Sequence, residues 1–71
     1  MVIRVWNYIR GGKLFEIKAE KPLKIREILQ LTSTPIDMFG IAMLNDGKTL
    51  TLDDEVSPGS EIKLVPAIIG G

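Results

Sequence analysis

Hydrophobic and polar positions alternate at the start of the chain. From Val2 to Ile9 the residues are mostly β-branched or aromatic, types that suit a pleated surface. Period two puts Ile3 and Val5 on one face, and Arg4, Trp6 and Tyr8 on the other. Leu14 to Lys18 repeats the alternation, with Phe15, Ile17 and Ala19 opposed to Leu14, Glu16 and Lys18. Between the two runs, Arg10-Gly11-Gly12-Lys13 supplies paired glycines, which accept the positive φ of a tight turn. These segments predict a β-hairpin.

After Pro22 the period lengthens. Ile25, Ile28 and Leu29 fall at i, i+3 and i+4 and predict a helix within Leu23 to Leu31. So short a helix is marginal alone, and its apolar stripe must pack on the sheet. A proline near its start removes no intrahelical bond. Pro35 disfavours α geometry at Thr34, so the helix is expected to stop by Thr32 or Ser33. Pro35 to Gly40 is expected as a turn or one loose helical turn. Ile41 to Leu44 predicts a strand, Asn45-Asp46-Gly47-Lys48 a turn, and Thr49 to Leu52 an optional short strand. The acidic turn Asp53-Asp54-Glu55 follows, then the turn Ser57-Pro58-Gly59-Ser60. Glu61 to Val65 alternates as a final strand. Met38 and Met43 are expected as core fillers.

The order β-β-α-β-(β)-β predicts the α+β class, with a mixed four- to five-stranded sheet and one main helix across one face. A crossover helix lets the last strand return parallel to the first. That is the β-grasp, or ubiquitin-like, arrangement. Residues 1–66 are expected as a single β-grasp domain and residues 67–71 as a flexible C-terminal Gly-Gly tail.

Composition narrows the chemistry. A 71-residue chain that is 45% hydrophobic can bury one core. It has no cysteine and no histidine, so it lacks a thiolate nucleophile, a Zn–S site and the commonest general base. Nine basic residues balance nine acidic ones, which argues against nucleic acid or an acidic membrane surface as partner. Val2 to Trp6 is too short and too charged for a signal or spanning segment, and cytoplasmic residence is expected. Asp53-Asp54-Glu55 has no EF-hand spacing and is expected as a solvated turn, leaving no metal site. Lys13, Lys18, Lys21 and Lys24 alternate with Glu16 and Glu20 as an ordinary polar surface. These features argue against a self-contained enzyme.

The chain ends Pro66-Ala67-Ile68-Ile69-Gly70-Gly71. Two glycines, lacking Cβ, can thread a narrow channel and bring an α-carboxylate close to a nucleotide. No Gly-rich phosphate loop is present to activate that carboxylate internally. The Gly71 carboxylate is therefore expected as a substrate group, with the catalytic machinery on a partner. Ile68 and Ile69 are expected to enter that partner's channel.

Asn45-Asp46-Gly47-Lys48, Ser57-Pro58-Gly59-Ser60-Glu61-Ile62 and Leu64-Val65-Pro66-Ala67-Ile68-Ile69-Gly70-Gly71 together resemble the small β-grasp sulfur carriers of thiamine and molybdopterin biosynthesis. The resemblance covers nearly the whole chain in length and element order, and its specific part is the C-terminal third. Family members carry an N-G turn, a later D-G-D-E-like turn and a P-x-x-x-G-G ending. Here the second turn, Pro58-Gly59-Ser60-Glu61, lacks both aspartates. The resemblance implies a ubiquitin-activating-type adenylating enzyme as partner, which uses ATP and Mg to convert the Gly71 carboxylate into an acyl-adenylate. It further implies a sulfur-donor enzyme, a C-terminal thiocarboxylate, and delivery of the sulfur to a synthase subunit. The short length is similar to the thiamine carriers, and Leu64-Val65-Pro66 to the molybdopterin type. A ubiquitin-like modifier conjugated to lysines, or a non-catalytic β-grasp interaction module, would present the same features. Trp6, Tyr8 and Val65 are expected on one outward face near the tail and, with Pro66, Ile68 and Ile69, as partner-binding residues.

Overall fold

The N-terminal alternation resolves into β1 (Val2–Asn7) and β2 (Lys13–Lys18), paired antiparallel with Val5 opposite Phe15 and Trp6 opposite Leu14. The computed structural model describes residues 1–67. β1 is shorter than its composition suggests, because Tyr8–Arg10 forms a 3-10 turn. The Asn7 side chain caps that turn, its Oδ1 accepting from the Arg10 amide at 3.1 Å. Gly11 and Gly12 then take φ of 81° and 83°, the freedom for which the paired glycines are needed.

Two short strands pair with each other, β3 (Leu23–Lys24), immediately before the helix, and β6 (Glu55–Val56), far downstream of it. Leu23 and Lys24 are thus extended rather than helical, and α1 spans Ile25–Leu31. Ile25, Ile28 and Leu29 are fully buried, as their spacing predicts. The helix starts under the acidic turn. The carbonyls of Asp54 and Leu52 accept from the amides of Ile25 and Arg26, both at 3.0 Å. The Glu27 side chain accepts from the Lys24 amide at 3.1 Å, so several of the orphan donors near the helix start are satisfied. At the other end Ser33 is left-handed (φ 55°). The amides of Ser33 and Thr34 donate back to the carbonyls of Gln30 (3.2 Å) and Leu29 (2.8 Å), closing a Schellman motif.

The chain continues through a 3-10 turn at Ile36–Met38 into β4 (Phe39–Leu44), β5 (Thr49–Leu50) and, after β6, β7 (Glu61–Pro66). The five-stranded sheet runs β2-β1-β7-β4-β5. β7 is parallel to β1 and antiparallel to β4. With α1 across one face this is the expected α+β architecture and the connectivity of a β-grasp. Ile3, Val5, Ala42, Ile62 and Leu64 from the sheet meet Ile25, Ile28 and Leu29 from the helix in one core, with Phe15 and Ile17 packed at its margin. Each aliphatic side chain fully buried there contributes about 1.5–3 kcal/mol.

Met38 and Met43 are not core fillers. Met38 lies on the exposed 3-10 turn, 49% accessible. Met43 is half-buried in β4, outside the core cluster and in register with Lys63. β4 also begins at Phe39, earlier than Ile41, because Pro66 of β7 is there to pair with it. Asn7 is a buried polar residue that the alternation does not announce. Its Nδ2 donates to Thr34 Oγ1 at 2.8 Å and, more weakly, to Thr32 Oγ1 at 3.4 Å. The Thr32 hydroxyl donates on to the Ile28 carbonyl at 2.9 Å. These bonds fasten the end of β1 to the end of α1. Among the described residues, no helix is long and apolar enough to cross a membrane.

Candidate functional site

The sheet places its last strand in the middle, so the chain leaves the domain between β1 and β4. Parallel pairing brings Asn7 beside Leu64. The 3-10 turn Tyr8–Arg10 therefore flanks the exit on one side. On the other, Phe39 pairs with Pro66 and the Ala67 amide donates to the Met38 carbonyl at 3.0 Å. Gly40 makes this approach possible at an irregularity in the β4–β7 ladder. A Cβ there would stand 2.6 Å from the Pro66 carbonyl oxygen and 2.9 Å from the Ala67 Cα.

The face of the sheet away from α1 carries Leu14, Trp6, Lys63 and Met43 in one row across four strands. Val65 and Ile41 form the next row toward the exit. Trp6 is half-buried, and its indole N–H donates to Glu61 Oε2 at 2.8 Å. That bond satisfies the ring nitrogen and leaves the apolar rim of the indole in the patch. Trp6 and Val65 thus share the outward face, as the alternation predicts. Tyr8 does not stand on the strand with them. It occupies the 3-10 turn beyond β1, half exposed and beside Gly12. Its displacement follows from Asn7, whose side chain turns the backbone out of the ladder. Pro66 ends β7, half-buried. Ile68, Ile69, Gly70 and Gly71 lie outside the described residues.

Side chains that periodicity does not single out complete the surface. Ile36 and Met38 are each about half exposed (48% and 49%), on the turn that holds Ala67. Leu31, 61% exposed, precedes the Thr32 that Asn7 contacts. Of the large hydrophobic residues exposed among the described residues, only Met1 belongs to the opposite end of β1. The signal for Ile36 and Met38 was present in sequence: apolar residues on a proline-flanked turn have no regular face to bury.

A shallow cleft of about 400 Å³ adjoins the exit, lined by Phe39, Gly40, Ile41, Leu50, Leu52 and Arg26, among others. Arg26 is held at its rim by Asp53, Nη2 to Oδ1 3.2 Å. The neighbouring Asp54 carboxylate accepts from the Thr51 amide at 2.8 Å and the Thr51 hydroxyl at 3.2 Å. These bonds, the backbone one first, hold its pKa below the ordinary aspartate range. The acidic run is therefore a structural turn that braces the helix start. Among the described residues no three acidic side chains gather as a metal would require.

No protein-family model matches this chain, and no significant match to a curated protein is found.

Proposed function

We propose that this protein is a sulfur carrier, a substrate for partner enzymes and not itself an enzyme. A ubiquitin-activating-type enzyme uses ATP and Mg to adenylate the Gly71 carboxylate, releasing pyrophosphate. With hydrosulfide as sulfur source, a carbon–sulfur bond then forms at the acyl carbon as the bond to AMP breaks. The product is a C-terminal thiocarboxylate, which a synthase subunit consumes in assembling a cofactor of the molybdopterin or thiamine kind. In the cell the sulfur comes from a donor enzyme, and the cytoplasm is the proposed compartment.

The observation that carries this proposal is the exit geometry. The segment leading to Gly70 and Gly71 emerges from the central strand of the sheet, anchored through Ala67 and ringed by exposed apolar side chains. A partner can grip that hydrogen-bonded root while it handles the residues beyond it. The chain's lack of cysteine and histidine is consistent with chemistry done elsewhere.

The test is intact mass after incubation with adenylating enzymes of the source organism, Mg-ATP and sulfide. Exchange of one C-terminal oxygen for sulfur is expected. A covalent adduct through a lysine of another protein would make the chain a modifier instead. No change with any of these enzymes would make it an interaction module.

A further inference from the structure

β2 is one edge of the five-stranded sheet, and among the described residues no strand pairs with its outer side. Its ladder with β1 runs from Lys13 to Lys18 without a proline or a bulge. The Ala19 amide donates to the Met1 carbonyl at 2.8 Å, and in an antiparallel ladder bonded pairs recur at every second residue. Phe15 and Ile17 therefore direct their N–H and C=O groups to β1. On the other side of β1 the Arg4 amide donates to the Ser60 carbonyl, in keeping with this alternation. Leu14, Glu16 and Lys18 turn their backbone groups outward, an open template for another strand.

The side chains select which strand. A second β2, antiparallel about a two-fold axis normal to the sheet, keeps α1 on the same face in both copies and pairs outward groups with outward groups. Centred on Ile17, this pairing sets Glu16 opposite Lys18 of the second copy, twice by symmetry. The exposed ion pair between Glu16 and Arg4 uses Oε2 at 3.4 Å and leaves Oε1 for that lysine. On the helix face the same pairing sets Ile17 opposite Ile17 and Phe15 opposite Ala19, covering two side chains that stand half-buried at the core margin. Centres on Glu16 or Lys18 oppose like charges, and a centre on Phe15 sets Lys13 against Ile17 and Leu14 against Glu16. Only the Ile17 centre matches charge with opposite charge and apolar with apolar. Terminal lysines commonly guard such an edge. Here Lys18 finds a partner, and Lys13 falls outside the Phe15–Ala19 stretch.

We propose that two copies of this chain associate edge to edge through β2, in the register centred on Ile17, joining their five-stranded sheets into one. β1 separates β2 from β7, so the association leaves the exit beside β4 open. A contact of this size is weak and depends on concentration.

The experiment is sedimentation equilibrium of the full chain from about 10 µM to about 1 mM, a range that spans weak association. Wild type is compared with Glu16→Lys, Lys18→Glu and the double variant Glu16→Lys/Lys18→Glu, with circular dichroism as the folding control. We expect wild type to dimerise reversibly and each single reversal to raise the dissociation constant about tenfold. The double variant should return to within about threefold of wild type, because it restores opposite charges in the same register. Wild type that stays monomeric throughout overturns the proposal. So does a dimer that the single reversals leave unchanged, or one that the double variant fails to restore. Should a variant fail to fold, amide exchange on wild type decides. Exchange at Glu16 and Lys18 that slows as concentration rises supports the β2 edge, and unaltered exchange overturns it.

Discussion

Gly40 faces the backbone of Pro66 so closely that a Cβ on it would stand 2.6 Å from the Pro66 carbonyl oxygen. The two lie on neighbouring strands at the point where the chain leaves the sheet. Backbone, unlike the end of a flexible side chain, has little freedom to give way. Gly40→Ala should therefore destabilise the domain by about 1–3 kcal/mol, as overpacking does elsewhere. Chemical denaturation measures the loss. Faster exchange of the Ala67 amide would locate it at the exit.

Ser33 is the counter-case, a side chain where glycine is preferred. It holds φ of 55° at the close of α1. Ser33→Gly should stabilise the domain by about 0.5–1 kcal/mol, relief of left-handed strain exceeding the entropy that glycine adds to the unfolded chain. For a domain of this size that corresponds to a Tm higher by about 2–8 °C. A thermal melt decides the sign.

Asn7 joins β1 to α1 through Thr34 and Thr32 and also caps the turn at Arg10. Asn7→Ala should cost about 2–4 kcal/mol, combining a small cavity, a missing cap and missing buried hydrogen bonds. Thr34→Val keeps the shape and removes only the hydroxyl. It should cost about 1–2 kcal/mol, because the Asn7 amide is left with the longer bond to Thr32. Urea unfolding of the two variants and their double mutant would give the coupling.

Asp54 sets an acid-sensitive element at the helix start. Its pKa is lowered in the folded protein, first by the Thr51 amide and then by the Thr51 hydroxyl. A depressed folded pKa contributes stability above the unfolded value, about 3.9, and that contribution is lost as pH falls through the folded value. Asp54→Asn should be less stable than wild type near neutrality, with the gap closing on acidification below pH about 4. Urea midpoints measured across the acid limb test this, and a gap that widens at low pH would contradict it.

Trp6 offers a test of the sheet face. Trp6→Ala should weaken binding of the proposed adenylating partner about tenfold while the domain stays folded. Trp6→Phe keeps an apolar ring and loses the bond to Glu61. It should bind nearly as wild type if the patch works through its apolar rim. Binding isotherms with circular-dichroism controls separate the two effects.

The parts of the fold that depend on a repeating face were legible in sequence. Ile3 with Val5, and Ile25 with Ile28 and Leu29, are buried where their periods put them. Trp6 and Val65 share the outward face for the same reason. What escaped depends on partners distant in the chain. Leu23 and Lys24 are extended because Glu55 and Val56 pair with them, and no local preference announces a ribbon that short. Asn7 is buried because Thr32 and Thr34 arrive to satisfy it. Tyr8 leaves the strand as a consequence. Met38 is apolar enough for the core, yet the turn that carries it is committed to holding Ala67.

The central position of β7 has a bearing on how the molecule is made. Both neighbours of β7, β1 and β4, are synthesised well before it, and the sheet stays split into two halves until Glu61–Pro66 arrives. Such non-local pairing delays folding, because the intervening loop must close before the strands can meet. A nascent chain interrupted before β7 has no closed sheet on which to build the surface around Met38 and Tyr8. The order of synthesis thus acts as a completeness check: the five-stranded sheet closes only once its central strand has been made.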